Sequence, residues 1–516
     1  MAEFVFWNHA QKDPDHLALV EPDGTEHTAG ELLASSEQLT HGLRALGLKA
    51  GDAVAVVLPN SAAMVELNLA CMQSGWYLVP LNYHLAAPEI AYIVSDSKAK
   101  AMICHERFAD KCRQAADEIA FPAGARFSVG SIEGFASYEQ LKDDQPTVMP
   151  SDRVLGTVMN YTAGTTGRPK GVRRPIAEQE PDGAIELEAL FLMLFGIQAH
   201  DDNVHLAVSP MYHTAVMRFS MMSLHLGHTV VQMDKWTAEE TLRLIDRYKV
   251  TTSHMVPTQF HRLLQLPDDA KKAFDVSSLR HMVHSAAPCP VPIKKSMLDW
   301  WGPVIDEYYA ATEGGGTLAT PDEWLKKPGT VGKPWPISEI RILDDDNKPL
   351  PPNTPGTVWI KMGDYTFEYH GDRKKTEETW NEGFFTVGDV GYLDEDGYLF
   401  LNDRKSDMII SGGVNVYPAE IEAALMTHPK VTDVAVFGIP HDDWGEEIKA
   451  VVQPKPGVDG DDALAEDLAA FCREQLAGYK VPRSFDFSEQ LPRDPNGKLY
   501  KRTLRDPYWE GRDRAI

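Results

Sequence analysis

Residues 228–256 constrain the fold more than any other stretch, because strand, helix and strand patterns follow one another there without a break. "HTVVQMD" is a short apolar strand run. "TAEETLRLIDRYKV" then opens with a capping box, Thr237 to Glu240, and repeats apolar residues at Leu242, Ile245 and Tyr248. "TTSHMVP" returns to a strand pattern. Earlier, "VAVVLPNS" is a buried strand ending in a turn and "AKAMIC" another strand after a helical stretch. Strands alternating with helices over the first two thirds of a chain predict an α/β architecture with parallel sheets.

Between 340 and 402 the pattern changes. "IRILDDDNKPL", "GTVWIKM" and "FFTVGDVGYLDEDGYLFL" are short strands divided by Asp/Gly turns, predicting a β-rich subdomain. After Asp403 it changes again. "PAEIEAALMTH" is a helix with Pro418 in its first turn, "VTDVAVFGIP" and "EEIKAVVQP" are strands, and "DDALAEDLAAFCREQL" is a second helix. The expected division is a large N-terminal domain over 1–405, with its β-rich subdomain at 340–402, and a small α+β domain over 406–516. A chain of 516 residues that is 43% hydrophobic has ample material for more than one core.

The net charge of −26 opposes the basic footprint that nucleic-acid binding needs. Anionic small molecules remain open where cations gather locally. Arg168, Lys170, Arg173 and Arg174 form one such group, and Arg493, Lys498, Lys501 and Arg502 another; each also reads as an ordinary solvated face. No apolar run is long enough for a transmembrane helix. The N-terminus lacks the basic and apolar regions of a signal peptide. Five scattered cysteines without a CxxC read as reduced thiols, so a cytoplasmic protein is expected.

The most unusual local composition is "YTAGTTGRPKGV", residues 161–172. A Walker A loop places lysine directly after glycine, whereas Lys170 follows Pro169, and a strand pattern comes next. The physical logic of a phosphate loop survives. Glycines let backbone N–H groups turn inward, Thr165 and Thr166 offer hydroxyls, and Lys170 supplies charge. Ala163 stands where another hydroxyl is expected.

This loop resembles the signature loop of the adenylate-forming superfamily: acyl-CoA synthetases, luciferases and the adenylation domains of peptide synthetases. Further motifs resemble the family's in the same order, across nearly the full chain. The resemblance implies that Thr162, Ala163, Gly164, Thr165, Thr166, Gly167 and Lys170 hold the ATP phosphates. "SAAP" is similar to the segment under the adenine, implicating Ala286 and Ala287. "EYYAATEGG" resembles the Tyr-Gly-x-Thr-Glu motif, with Ala310 in place of glycine. It implies nucleotide contacts at Glu307 and Tyr308, an α-phosphate contact at Thr312, and Mg²⁺ held by Glu313 with Thr166. "FFTVGDVGYLDEDGYL" implies that Asp389 accepts the ribose hydroxyls, with Val387 departing from the family pattern. "DRKSDMIISGGVNVYPAEIE" implies Arg404 at the ribose and phosphate, passage of the coenzyme A arm at Gly412 and Gly413, and an interdomain hinge at Ser406, usually Asp or Lys. "LPRDPNGKLYKR" implies that Lys498 bridges carboxylate and α-phosphate. "SPMYHT" places His213 at the mouth of an acyl pocket.

Three functions follow as alternatives: an acid–CoA ligase, a module that passes its acyl group to a separate carrier protein, and a luciferase-like oxidase or inactive homologue. With 18 residues after Lys498, no attached carrier domain is expected. "MYHTAVM" lacks the acid that pairs with an amino-acid substrate. "SGGVNVYP" favours coenzyme A, and the oxidase reading has no positive support. Met211, Met217, Phe219, Met221, Met222 and Leu224 suit either an adaptable apolar acyl pocket or plain helix core, and "IELEALFLMLFGIQAH" is an apolar helix that lines the same region. A fatty, alicyclic, steroid side-chain or aromatic acid is therefore expected, with ATP, Mg²⁺ and coenzyme A. A homodimer is a family-level expectation.

Overall fold

A computed structural model describes residues 4–162, 169–493, 497 and 499–511. The chain divides into two compact units. One comprises Met1–His254, Pro267–Met282 and Thr366–Glu377; the other comprises Met255–Leu266, Val283–Tyr365 and Glu378–Ile516.

The first unit is α/β. Its six-stranded sheet runs Ala136–Ser137, Arg126–Val129, Ala99–His105, Ala53–Val57, Tyr77–Pro80 and Thr157–Val158, and every pairing is parallel. Helices cover it, and this explains the sequence. Ala53–Val57 is buried throughout, and so is every residue of the Ala62–Met72 helix. Such continuous apolar runs are the mark of a parallel sheet covered on both faces. A second parallel set joins Leu17–Val20, Thr229–Gln232, Val204–Ala207 and Thr252–Met255, with Glu26–Thr28 antiparallel at its edge.

The 237–248 segment is the expected helix, Ala238–Tyr248, but only half of its capping box forms. Thr237 Oγ1 accepts the Glu240 N–H at 3.2 Å. The Glu240 carboxylate turns instead to Arg243, 2.6 and 2.5 Å away, because a charged partner one turn on outcompetes a neutral backbone N–H. The apolar 185–200 stretch is helical only in part. Pro181–Met193 is the helix, and Gly196, with φ +79°, lies in the turn that follows it. The strand expected after the glycine-rich loop is Lys170–Arg173.

The second unit contains the β-rich part. Ser338–Leu343, Gly356–Met362, Asp389–Leu393 and Leu399–Arg404 pair antiparallel in that order. Its C-terminal sheet joins Val414–Val416, Ile409–Ser411, Gly445–Pro454 and Val431–His441. The Pro418–Leu425 and Asp462–Gln475 helices bury Ile421, Leu425, Leu468 and Cys472 with Val434, Val436, Ile448 and Ala450 in one core. The expected class, a large α/β part with a β-rich region and an α+β C-terminal part, is the class observed. All five cysteines are free thiols. No helix among the described residues is long and apolar enough to cross a membrane.

Candidate active site

The first unit carries the glycine-rich loop and His213. Ala163, Gly164, Thr165, Thr166 and Gly167 lie outside the described residues; the ends of the loop do not. Asn160–Thr162 and Lys170–Arg173 pair antiparallel with Thr162 opposite Lys170. Thr162 Oγ1 lies 3.5 Å from Lys170 O. Tyr161 donates its hydroxyl to Asp96 at 2.7 Å, and Tyr92 donates to Pro169 O at 3.1 Å. These anchors come from the Ala87–Asp96 helix and were not singled out from sequence. Burial, reinforced by the Asp96 carboxylate, pushes the Tyr161 hydroxyl far up, so it stays a donor. The Lys170 ammonium is paired with Asp372.

His213 precedes the Thr214–His225 helix, its ring 4.3 Å from that of Tyr212. The segment before it is held by Asn60, a buried residue at the end of the 53–57 strand. Asn60 donates to Ser209 O and Met233 O at 3.0 and 2.9 Å and accepts the Met211 N–H at 2.7 Å. Met211, Met217, Met221, Met222 and Leu224 are buried. Phe219 packs on Phe191 and Phe195, each 5.5 Å away between ring centroids, so the helix expected to line the same region does meet this one.

The second unit carries most of the other candidates. Ala286 and Ala287 lie in the turn between the His281–His284 strand and the Val291–Trp301 helix. Ala286 adopts φ +74°, a left-handed conformation that an alanine holds only when its surroundings enforce it.

Thr312 and Glu313 form the tip of a hairpin, between register partners Ala311 and Gly314. Glu313 is buried. The glycines after it are obligatory: Gly315 has φ +70°, and a Cβ there would overlap Ile360. Glu307 and Tyr308 sit earlier on the Ile305–Ala311 strand, both buried. The Glu307 carboxylate faces inward, 2.7 Å from Lys294 Nζ and 3.3 Å from His284 Nε2. Burial alone would raise it, yet Lys294 and then His284 hold it at about 2.

Tyr309, one residue beyond the tyrosine chosen from sequence, reaches the expected ribose ligand. Its hydroxyl donates to Asp389 Oδ2 at 2.6 Å, while Arg404 Nε lies 3.4 Å from Oδ1. Asp389 and Arg404 are themselves register partners on adjacent strands. Burial, then the Asp389 charge, drives the Tyr309 hydroxyl far above its usual range, so it too remains a donor. Strand periodicity was the available signal: Tyr309 shares a face with Glu307 and Ala311, whereas Tyr308 points the other way.

Gly412 and Gly413 make the turn between Ile409–Ser411 and Val414–Val416, with φ +59° and +79°, the requirement of a type I′ hairpin. Lys498 lies outside the described residues. The residue before it, Gly497, has φ +77°, and a Cβ there would crowd Thr258 and Val256 at 3.0 to 3.2 Å. Arg493 holds Gly497: it grips Asp433 at 2.6 and 2.8 Å and donates to Gly497 O at 2.6 Å. A basic group that reads as a solvated face thus contains a structural clamp. Lys501 is likewise engaged, 2.8 Å from Glu422.

The second unit therefore brings together a carboxylate oriented by a tyrosine and an arginine, and a Thr-Glu hairpin tip. The chain belongs to the AMP-binding enzyme family. The family model matches residues 6–369, and that of the AMP-binding enzyme C-terminal domain matches residues 420–498. Among its relatives is a fatty acid–[acyl-carrier-protein] ligase from Streptomyces coeruleorubidus, 32% identical over 98% of this chain and 96% of the relative. A feruloyl-CoA synthase from Amycolatopsis is 33% identical over 95% of this chain and 96% of its own. Among solved structures, o-succinylbenzoate CoA synthetase from Bacillus subtilis, in complex with its acyl-adenylate intermediate, superposes with a TM-score of 0.80. It is 28% identical and the match covers 98% of each chain. The protein is an AMP-forming ligase.

Proposed function

We propose that the protein is an ATP-dependent acid–CoA ligase for an apolar carboxylic acid: fatty, alicyclic, steroid side-chain or aromatic. The observation that carries the nucleotide part is the Asp389 carboxylate held between Tyr309 and Arg404. One oxygen accepts from Tyr309 and the other faces the Arg404 guanidinium, which orients the carboxylate to accept from two vicinal hydroxyls. Residues 162–167 and Lys170 receive the β- and γ-phosphates, Ala286 and Ala287 lie under the adenine, and Thr312 meets the α-phosphate.

A divalent ion fits the donor set. Glu313 is a buried carboxylate, a hard-oxygen donor. That matches Mg²⁺, which takes one or two protein carboxylates and completes its shell with phosphate and water. Held by Glu313 and Thr166, it would neutralise triphosphate charge.

In the first half-reaction a substrate carboxylate oxygen attacks the α-phosphorus of ATP. The bond to the β-phosphate oxygen breaks, giving acyl-AMP and pyrophosphate. Lys498 neutralises the two anions that must meet. The C-terminal part, from Ser406 onward, then rotates and withdraws Lys498. In the second half-reaction the thiol sulfur attacks the acyl carbon, its proton is lost, and AMP leaves. Gly412 and Gly413 present no side chain to the arriving pantetheine arm.

A panel of carboxylic acids scored for pyrophosphate release tests the reading. Release should depend on an apolar acid, and AMP with an acyl thioester should accumulate only when coenzyme A is present. An acyl-adenylate that persists with coenzyme A but is consumed by a holo carrier protein would transfer the assignment to the carrier acceptor. The fatty acid–[acyl-carrier-protein] relative is what keeps that reading in view.

Tyr309→Phe tests the ribose site. Removing one charge-assisted hydrogen bond should raise the KM for ATP by about tenfold and change kcat much less. An unaltered KM would show that Asp389 is positioned without Tyr309.

A further inference from the structure

The pivot assigned to Ser406 is anchored on both flanks. Before it, Asp403 pairs with Val390 and Arg404 with Asp389 in the β-rich sheet. Lys405 N–H donates to Gly388 O at 2.8 Å, and its ammonium lies 2.7 Å from Asp345. After it, Arg505 of the Lys501–Arg505 helix lies 3.5 Å from Asp407 and 3.4 Å from Ser406 O. The residues before Ser406 are thus held by the β-rich sheet, and Asp407 after it by the Lys501–Arg505 helix.

One carboxylate reaches across. Asp403 Oδ2 accepts the Ala419 N–H at 2.8 Å, in the first turn of the Pro418–Leu425 helix, and Oδ1 accepts the Arg404 N–H at 2.8 Å. Negative charge at a helix N-terminus is favourable. Burial raises the Asp403 carboxyl above its ordinary range, and the Lys501 ammonium, itself paired with Glu422, offsets part of that rise. Further links across Ser406 include some of a different kind. Asp407 and Met408 N–H donate to Arg404 O in a local turn, 3.0 and 3.1 Å. His261 Nε2 lies 3.0 Å from Thr432 O, far from the pivot.

We propose that Asp403 is a latch: its carboxylate, spanning Ser406 to the N-terminus of the 418–425 helix, holds the C-terminal part in the arrangement that forms the adenylate and lets go for the thiol step. This rests on the rotation described under the proposed function. The Ala419 N–H lies beyond the pivot and Asp403 before it, so rotation about Ser406 separates them. Asp403 acts on the reaction through the position of the C-terminal part and is a positioning residue.

The test measures the two half-reactions separately in the full-length enzyme. Asp403→Ala should slow acyl-adenylate formation by about tenfold, the worth of one charge-assisted hydrogen bond. It should leave thioester formation from supplied acyl-adenylate unchanged or faster. Asp403→Asn keeps an acceptor for Ala419 and loses the charge, so its effect on the first half should be smaller, about threefold. Trypsin should cut after Lys405 faster in Asp403→Ala than in the wild type. Equal slowing of both half-reactions, or none in the first, overturns the latch. Should Asp403→Ala fail to fold, the Asn variant decides by the same criterion. Lys498→Ala in the same assay separates the two ideas. If it fails to split the half-reactions, the rotation itself is wrong; if it splits them and the Asp403 variants do not, only the latch is wrong.

Discussion

Lys498→Ala will reduce acyl-adenylate formation by roughly two to three orders of magnitude, the usual cost of removing one preorganised electrostatic group from a transition state. Thioester formation from supplied acyl-adenylate will be spared. The asymmetry follows from charge. In the first half a carboxylate must approach a triphosphate, and a cation is needed between them; in the second a thiol attacks a neutral acyl carbon. The flank of Lys498 is built for placement. Arg493 ties Gly497 O to Asp433 through a two-pronged ion pair, and Gly497 has φ +77° and lies so close to Thr258 and Val256 that a Cβ would crowd them. Separate assays of pyrophosphate release and of thioester formation check the prediction, and equal loss in both would remove Lys498 from the bridging role.

The second large effect is on stability. Lys294 is fully buried, with its ammonium 2.7 Å from Glu307 Oε2 and 4.7 Å above the Trp324 ring. Removing either partner strands a charge in the interior, so Glu307→Gln and Lys294→Met should each cost about 3–5 kcal/mol in denaturant unfolding. The double variant should cost far less than the sum, because what is lost in the singles is mostly the uncompensated charge. Additive losses would show that the two side chains do not depend on each other. Acid should narrow the gap between wild type and Glu307→Gln. The folded carboxyl titrates at about 2, below its ordinary 4.5, so its contribution is complete above pH 4.5 and fades as pH falls towards 2.

Much of the architecture was legible because its signals are local. The apolar run that becomes the buried Ala53–Val57 strand is contiguous in the chain. The same holds for the motifs. The Thr312–Glu313 tip and the strand after Lys170 stand where their short patterns put them. The capping box was legible only in part, since Thr237–Glu240 competes with an ion pair from Arg243 that the box pattern ignores.

The partners of those motifs were not legible. Tyr309 and Asp389 are 80 residues apart, and Arg493 and Asp433 are 60 apart. Whether such groups meet depends on strand register, and a slip of one residue sends every side chain to the opposite face. Tyr308 and Tyr309 differ by a shift of that size, and it is Tyr309 that meets Asp389. Sequence by itself determined the order of strands and helices, the glycine-dependent turns and the family, all carried by periodicity and short contiguous motifs. Tertiary structure alone decided which charges are paired: Glu307 with Lys294, Lys170 with Asp372, Asp403 with the first turn of the 418–425 helix. The reason is that a carboxylate's role is set by which cation or N–H shares its desolvated surroundings, and desolvation exists only once distant segments pack.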